Sequence, residues 1–347
     1  VKARVTLRDI AAEADVHYST VSLALRDHPR VSAPVRDKIK AIAHKLGYTP
    51  DPALAALNAY RKTKLTVHYQ STLAWIDTWT NEVKLRLRDQ PTFNEYFLGA
   101  ADRARQLGYE LEEFRLCESD MSPQRLSRVL NSRGITGLLL PPLPTQGNRL
   151  PLEYKHFSTI SFGYSLVPHV FHLVTNHQFH SVSLALDKVT ELGYRRIGLY
   201  LHDYVDNKTD NAYTTGYWRY CQHHPDRKHV TAYMGSEGVD DRELFQAWYL
   251  KNRPDVVISD IDHEIDEWLG DLGVRVPEDV GCAWLSLGAD DHTRAGVDQN
   301  GRLIGQTAVD FLVGMLQRGE HGIPETPVRI LVEGTWRQGM TLRQQQA

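Results

Sequence analysis

Three short helical patterns crowded into the first fifty residues constrain this chain more than any other feature. Thr6 precedes LRDIAAEA, in which Leu7, Ile10, Ala11 and Ala14 fall at helical spacing on one face. Thr6 with Asp9 makes a T-x-x-D start of the capping-box kind. After a two-residue break at Asp15-Val16, HYSTVSLAL begins a second helix with Val21 and Leu25 inward. A third runs from Ser32 as N-cap, with Pro34 in its first turn, through Val35, Ile39, Ile42, Ala43 and Leu46 to Gly47 as C-cap. Two short helices joined by a tight turn and braced by a third make a helix-turn-helix. A small three-helix bundle can serve other ends, so charge and the following segment bear on its role.

The net charge of −3 hides an asymmetry: residues 1–64 hold twelve Lys/Arg against six Asp/Glu, a net of +6, leaving −9 on the rest. A basic head on an acidic body suits a polyanion that meets the head alone. The second helix would present Tyr18, Ser19, Ser22 and Leu23 outward, with Thr20, Arg26 and Arg30 within reach of phosphates. The major groove of B-DNA admits an α-helix, and side chains near the N-terminus of that helix reach base edges. The next segment, TPDPALAALNAYRKTK, reads as a linker able to become a helix, with Asp51 as N-cap and Pro52 in the first position. Ten or so residues are too few to stay helical alone in water, so it should order only against a partner.

Together, VTLRDIAAEADVHYSTVSLAL and RVSAPVRDKIKAIAHKLGYTPDPALAAL closely resemble the DNA-binding head and hinge of the LacI/GalR family, without a gap from Val5 to Leu57. The resemblance implies that Tyr18, Ser19 and Leu23 read bases. It also implies that Thr6, Thr20, Ser22 and Ser32 fix the DNA backbone, with His17, Arg26, Arg30 and Tyr48 in the same interface. Leu57 falls where the family wedges a leucine into the minor groove. Three departures stand out. Asp15 replaces the usual turn glycine and must adopt a left-handed conformation. His17 replaces a small hydroxyl, and Leu23 replaces a polar reader, offering only apolar contact such as to a thymine methyl.

Beyond Ser71, short apolar strands (STLAWI, YELEEFRL, GLLLPPL, FSTISFG, RIGLYL, DVVISD and CAWLSL) alternate with amphipathic helices, arguing for parallel sheets covered on both faces. The turn Leu-Gly-Tyr recurs at 107–109 and 192–194, as two similar lobes would produce. The fold expected is an all-α helix-turn-helix head plus an α/β body of two doubly wound lobes, like periplasmic binding proteins. Its divisions are 1–50 for the head, 51–66 for the hinge helix and 67–347 for the effector-binding body. By family architecture the N-lobe is 67–174 with 297–327, and the C-lobe is 175–296 with 328–347.

The resemblance puts the effector between the lobes, at the strand ends. Tyr213 stands where sugar-binding members place an arginine, while Tyr164 and Ser286 fall near aspartate positions. Asp260 follows the strand DVVIS, Phe93 matches a ligand-stacking aromatic, and Asp298 and Gln299 lie at the lobe crossover. Tyr164 and Tyr213 either line this pocket or pack in the interlobe core. With no obvious strong cation aligned, a neutral sugar fits better than an anion.

No apolar stretch approaches the roughly 18–20 residues that span a bilayer, and no secretory leader opens the chain, so a cytoplasmic protein without a membrane partner is expected. Cys117, Cys221 and Cys282 lie too far apart in sequence for a C-x-x-C site. There is no G-x-S-x-G, P-loop, G-x-G-x-x-G or H-E-x-x-H, so neither an enzyme nor a cofactor or metal is expected. The expected function is a ligand-responsive repressor of carbohydrate-related genes, binding a pseudo-palindromic operator as a homodimer. A free-standing solute-binding protein is the rival, and it leaves the basic head without a role.

Overall fold

The computed structural model describes residues 5–25, 31–48, 71–79, 87, 90–116, 121–144, 146–148, 150–225, 230–235, 241–260 and 264–345. The hinge segment 51–66, with Leu57, and the two arginines Arg26 and Arg30 lie outside them.

Three helices build the head: α1 (Leu7–Ala14), α2 (Tyr18–Ala24) and α3 (Ala33–Leu46). Ile10, Val21, Ala24 and Ile39 are fully buried against one another. Leu25 turns inward as the sequence pattern indicates, half-buried against this core, and Ala24 beside it is fully buried. Asp15 ends α1 at φ 55°, ψ 50°, the left-handed conformation expected of it, and its N–H donates to the Ala11 carbonyl. Gly47 closes α3 at φ 70°.

The described residues of the body form two six-stranded sheets. The first is built from β1 (Ser71–Asp77), β2 (Tyr109–Arg115), β3 (Gly137–Leu140), β5 (Ser158–Phe162), β7 (His172–Asn176) and β13 (Arg329–Val332), in the order β13-β7-β5-β3-β1-β2 and all parallel. Beside it, β4 (Gly147–Asn148) pairs with β6 (Leu166–Val167). The second sheet runs β14-β12-β11-β10-β8-β9, from β8 (Ile197–His202), β9 (Tyr233–Gly235), β10 (Val256–Ser259), β11 (Gly281–Trp284), β12 (Ala295–Asp298) and β14 (Thr335–Arg337). Among the described residues of this sheet, only β14 is antiparallel to its neighbour.

Burial on both faces follows the period of two that a strand imposes. In β1, Leu73 and Trp75 face α4 (Pro91–Gln106) and α11 (Gly301–Arg318), whereas Ala74 and Ile76 face α5 (Pro123–Ser132). Two glycines let α4 and α11 cross closely: a Cβ on Gly99 would strike the Arg302 carbonyl, and one on Gly305 the Tyr96 carbonyl. In the second lobe, α6 (Gln178–Glu191) and α8 (Ala212–His223) cover one face of the sheet. The opposite face is covered by α9 (Arg242–Asn252) and α10 (Glu264–Asp271), while α7 (Asp203–Lys208) follows β8. Gly108 and Gly193 have φ 83° and 91°, so the recurring Leu-Gly-Tyr turns use glycine for its left-handed conformation.

Residues 329–332 correct the sequence-derived lobe boundary. Placing everything after 327 in the C-lobe missed β13, which pairs with β7 in the first sheet. The chain thus crosses between lobes at 177, at 299–300 and at 333–334.

Candidate functional site

The head displays a small polar surface on a rigid apolar base. Thr6 and Asp9 form the full capping box: Thr6 N–H and Oγ1 each lie 2.7 Å from Asp9 Oδ2, and Asp9 N–H donates back to Thr6 Oγ1 at 3.4 Å. Those bonds, led by the one from the Thr6 side chain, hold the Asp9 carboxyl below its usual pKa. His17 is the N-cap of α2, its Nδ1 accepting from Ser19 N–H at 3.4 Å and lying 2.8 Å from Ser19 Oγ. Its ring rests on Tyr18, with centroids 4.4 Å apart.

Tyr18 is 51% exposed at the start of α2, and Ser19 is exposed beside it. Thr20 and Ser22 are half-buried. Leu23 is half-buried too and packs against the head core, so it offers an edge rather than a free side chain. Ser32 occupies the N-cap of α3 but its hydroxyl makes no capping bond, and it stays exposed. Tyr48 lies partly buried on the same core, its N–H donating to the Ala43 carbonyl at 2.9 Å. The position of α2 follows from burial: Val21 and Ala24 anchor one side, which leaves Ser19 on the other and Tyr18 at the exposed N-terminal edge between them.

A second site lies where the lobes meet. Tyr213, from α8, is 3% exposed, and its hydroxyl accepts from Gln299 Nε2 at 3.2 Å and from Asn176 Nδ2 at 3.5 Å. Gln299 also donates to the Leu285 carbonyl at 3.1 Å. Asn176 Oδ1 accepts in turn from Gln178 Nε2 at 2.9 Å and Thr175 Oγ1 at 3.2 Å. Burial pushes the Tyr213 hydroxyl pKa well above that of a free tyrosine, so it stays neutral. Tyr213 and Gln299 are therefore brought together, along with Asn176 and Gln178, which sequence reading missed. Asn176 ends the strand HLVTN, too short to stand out by periodicity, and Gln178 opens the helix that follows.

Ser286, beyond β11, lies with its hydroxyl 3.0 Å from Thr92 Oγ1 on α4 of the other lobe. Phe93, next to Thr92, sits edge-on to Trp79 and Tyr96 with centroids 5.9 Å from each. Tyr96 stacks on Phe162 at 5.6 Å, and Trp79 Nε1 donates to the Pro142 carbonyl at 2.9 Å. These rings make an aromatic wall on the first lobe.

Asp260 and Tyr164 flank another edge of the same junction. The Asp260 carboxylate accepts from His202 N–H at 3.3 and 3.4 Å. Burial, aided by the nearby Asp206 carboxylate, pushes its pKa up to about 8. Tyr164 is half-buried, its N–H donating to the Lys208 carbonyl at 3.3 Å, and burial raises its hydroxyl pKa. Lys208 lies at this edge too, where its Nζ donates to the Pro144 carbonyl at 3.0 Å and lies 4.9 Å over the Tyr204 ring. Asp298 is taken up locally, accepting from Asn300 N–H at 2.8 Å with Arg337 Nε 3.7 Å away. Amide and hydroxyl groups beside aromatic faces can bind neutral, hydroxyl-rich molecules.

Comparison with known proteins gives two family matches. Residues 6–51 match bacterial regulatory proteins of the lacI family, and residues 186–339 match a periplasmic binding protein-like domain. The NTD biosynthesis operon regulator NtdR of Bacillus subtilis (strain 168) is 22% identical over 293 residues, covering 79% of this chain and 80% of that protein. Two solved structures share the fold over nearly the whole chain. The transcriptional regulator CelR–cellobiose complex has TM-score 0.60 at 21% identity, covering 97% of this chain and 100% of that one. The lac repressor dimer bound to operator and the anti-inducer ONPF has TM-score 0.57 at 17% identity, covering 98% and 100%. Among the described residues, no helix is long and apolar enough to cross a membrane.

Proposed function

The chain belongs to the LacI/GalR family of bacterial transcriptional regulators, and from that premise we propose that it is a sugar-responsive repressor gripping a pseudo-palindromic operator as a homodimer. One observation carries the reading: Tyr18 and Ser19 stand exposed on the first turn of a short helix whose far side is fixed by Val21 and Ala24. Inserted in a major groove, that turn meets base edges. Thr6, Thr20, Ser22 and Ser32 supply hydroxyls to the flanking phosphates, with His17, Tyr48 and the residues Arg26 and Arg30 completing the contact. In this reading Leu57 enters the minor groove between half-sites, where a wedge costs roughly a few kcal/mol of unstacking that the bent duplex repays in contact.

The effector in this proposal is a neutral sugar held between the aromatic wall at Phe93 and the polar groups of Tyr213, Gln299, Ser286, Asp260, Tyr164 and Asp298. Amides and hydroxyls match sugar hydroxyls in hydrogen-bonding capacity. The cellobiose bound by the similar CelR supports a carbohydrate. Sugar binding shifts the lobes about their crossovers and so alters the spacing of the two heads, biasing the DNA-competent state by its differential affinity for the two arrangements. Such a DNA-bound role belongs in the cytoplasm.

Selection of bound sequences from random DNA, with and without candidate sugars, tests the proposal. The expected result is an enriched two-fold site whose retention changes with one sugar, weakening steeply as salt rises. Leu57→Ala should reduce bending and affinity for that site. Operator binding that survives in a chain beginning at Leu65, or a flat salt profile, would remove the head from its assigned role.

A further inference from the structure

The three connectors between the lobes meet at one place. His177 joins β7 to α6, Asn300 joins β12 to α11, and Glu333 with Gly334 joins β13 to β14. His177 N–H donates to the Val332 carbonyl at 2.8 Å, and Asn300 Nδ2 donates to the Glu333 carbonyl at 2.8 Å. Thr335 Oγ1 adds a bond to Asn300 Oδ1 at 3.2 Å. The backbone under Glu333 is therefore held from two sides.

On that base three side chains converge. His177 and His180 stack with centroids 3.7 Å apart and planes 6° from parallel. His180 Nδ1 lies 3.0 and 3.2 Å from the two carboxylate oxygens of Glu333. One ligand-capable atom from each of the three lies within 4.8 Å of the other two.

We propose that His177, His180 and Glu333 form a binding site for a divalent transition-metal ion of the zinc class at the lobe hinge. Two imidazoles and one carboxylate are donors that zinc accepts, while magnesium and calcium favour all-oxygen sets. Zinc bonds of about 2.0–2.2 Å at tetrahedral angles put donor atoms about 3.4 Å apart. Stacked rings do not aim their lone pairs at one point, so one imidazole must turn about its Cβ–Cγ bond. His180 is 54% exposed and Glu333 62%, which leaves both side chains room to adjust. Three protein donors leave a coordination position for water. The bound ion would link the start of α6 to the β13–β14 connector, tying two of the three crossovers together. The site does not depend on the regulatory role proposed above. Sequence spacing conceals it, because Glu333 lies 153 positions beyond His180.

Calorimetric titration of the full chain with zinc(II), after chelator treatment, tests this. One equivalent should bind to the wild type at least tenfold more tightly than to His180→Ala or Glu333→Gln, and magnesium should give no saturable heat. Both substitutions fall on exposed side chains, so folding is checked simply by circular dichroism. The sixteen histidines provide a weak background that the two variants share with the wild type, apart from the residue removed. Hydrogen exchange at 176–180 and 332–335 should slow on zinc addition in the wild type only. Wild-type affinity retained by either variant, or no saturable zinc binding, overturns the site and leaves an ion pair beside a ring stack. Zinc binding without slower exchange at those connectors overturns the hinge link.

Discussion

Thr92 Oγ1 lies 3.0 Å from Ser286 Oγ, a hydroxyl pair joining the first turn of α4 in one lobe to the end of β11 in the other. It stands beside the aromatic wall at Phe93, whereas the Asn176–Tyr213–Gln299 network lies at the crossovers. The two lobes are thus pinned at the hinge and again at the mouth of the junction. Gln146 Nε2 to the Asn207 carbonyl (3.3 Å) and Lys208 Nζ to the Pro144 carbonyl (3.0 Å) add contacts on another edge. A ligand that widens the junction must break some of these bonds, and one that fits within it can keep them.

The Thr92–Ser286 pair is neutral and part-buried, so its net worth should be about 0.5–1.5 kcal/mol. A double-mutant cycle on Thr92→Val and Ser286→Ala, followed by urea unfolding, should give a coupling of that size. Additive single effects would mean that the hydroxyls sit side by side without holding the lobes.

Tyr213→Phe keeps the buried ring and removes only the hydroxyl, and with it the acceptor of two amide bonds. Gln299 still has the Leu285 carbonyl, but Asn176 Nδ2 loses its bond to the phenol. A loss of about 1–2 kcal/mol is expected from the buried donor left without its partner, read as a lower urea midpoint at unchanged slope. A variant as stable as the wild type would show that the phenol plays no part in holding the crossover.

What was legible in the sequence was mostly local. The Thr6–Asp9 box spans four residues and the left-handed Asp15 follows from one turn, so both could be read directly. Leu25, four positions after Val21, packs against the head core as its spacing indicates, whereas Ala24, three positions after Val21 and fully buried, carries too small a side chain to stand out in the pattern. Strand β13 escaped notice because four residues show little alternation and its partner β7 is more than 150 positions earlier. The interlobe network was visible only in part. Tyr213 and Gln299 came from family resemblance, but Asn176 is set against them by sheet closure, which no spacing along the chain reveals.

Asp260 makes a pH signature. Its pKa is pushed up to about 8, chiefly by burial, whereas an unfolded chain releases that proton near pH 4. Between those values the folded state holds the extra proton, so stability from this group falls as pH rises from about 4 to about 8 and levels off above. Below pH 4 both states are protonated and the group contributes no slope. Asp260→Asn cannot ionise and still accepts from His202 N–H through its amide oxygen. The melting temperature of the variant relative to the wild type should therefore climb between pH 5 and pH 8 and then flatten. Parallel melting curves across that window would mean that Asp260 is solvated and titrates as an ordinary carboxylate.

The turn between α1 and α2 holds Asp15 at φ 55°, ψ 50°, while its N–H and that of Val16 both donate to the Ala11 carbonyl. Left-handed backbone costs an L-residue roughly 1–2 kcal/mol, less for aspartate, and nothing steric for glycine. Asp15→Gly removes that steric cost, offset in part by the greater entropy of glycine in the unfolded chain, and should stabilise the head slightly, whereas Asp15→Ala should weaken it. Hydrogen exchange of the α1 and α2 amides in the full chain reads both changes, with protection rising in the glycine variant and falling in the alanine one. Because the turn fixes the angle at which Tyr18 and Ser19 leave the head, and glycine adopts the same left-handed conformation, the same variant should keep operator affinity near the wild-type value. Equal protection in all three proteins would show that the aspartate pays no conformational penalty here.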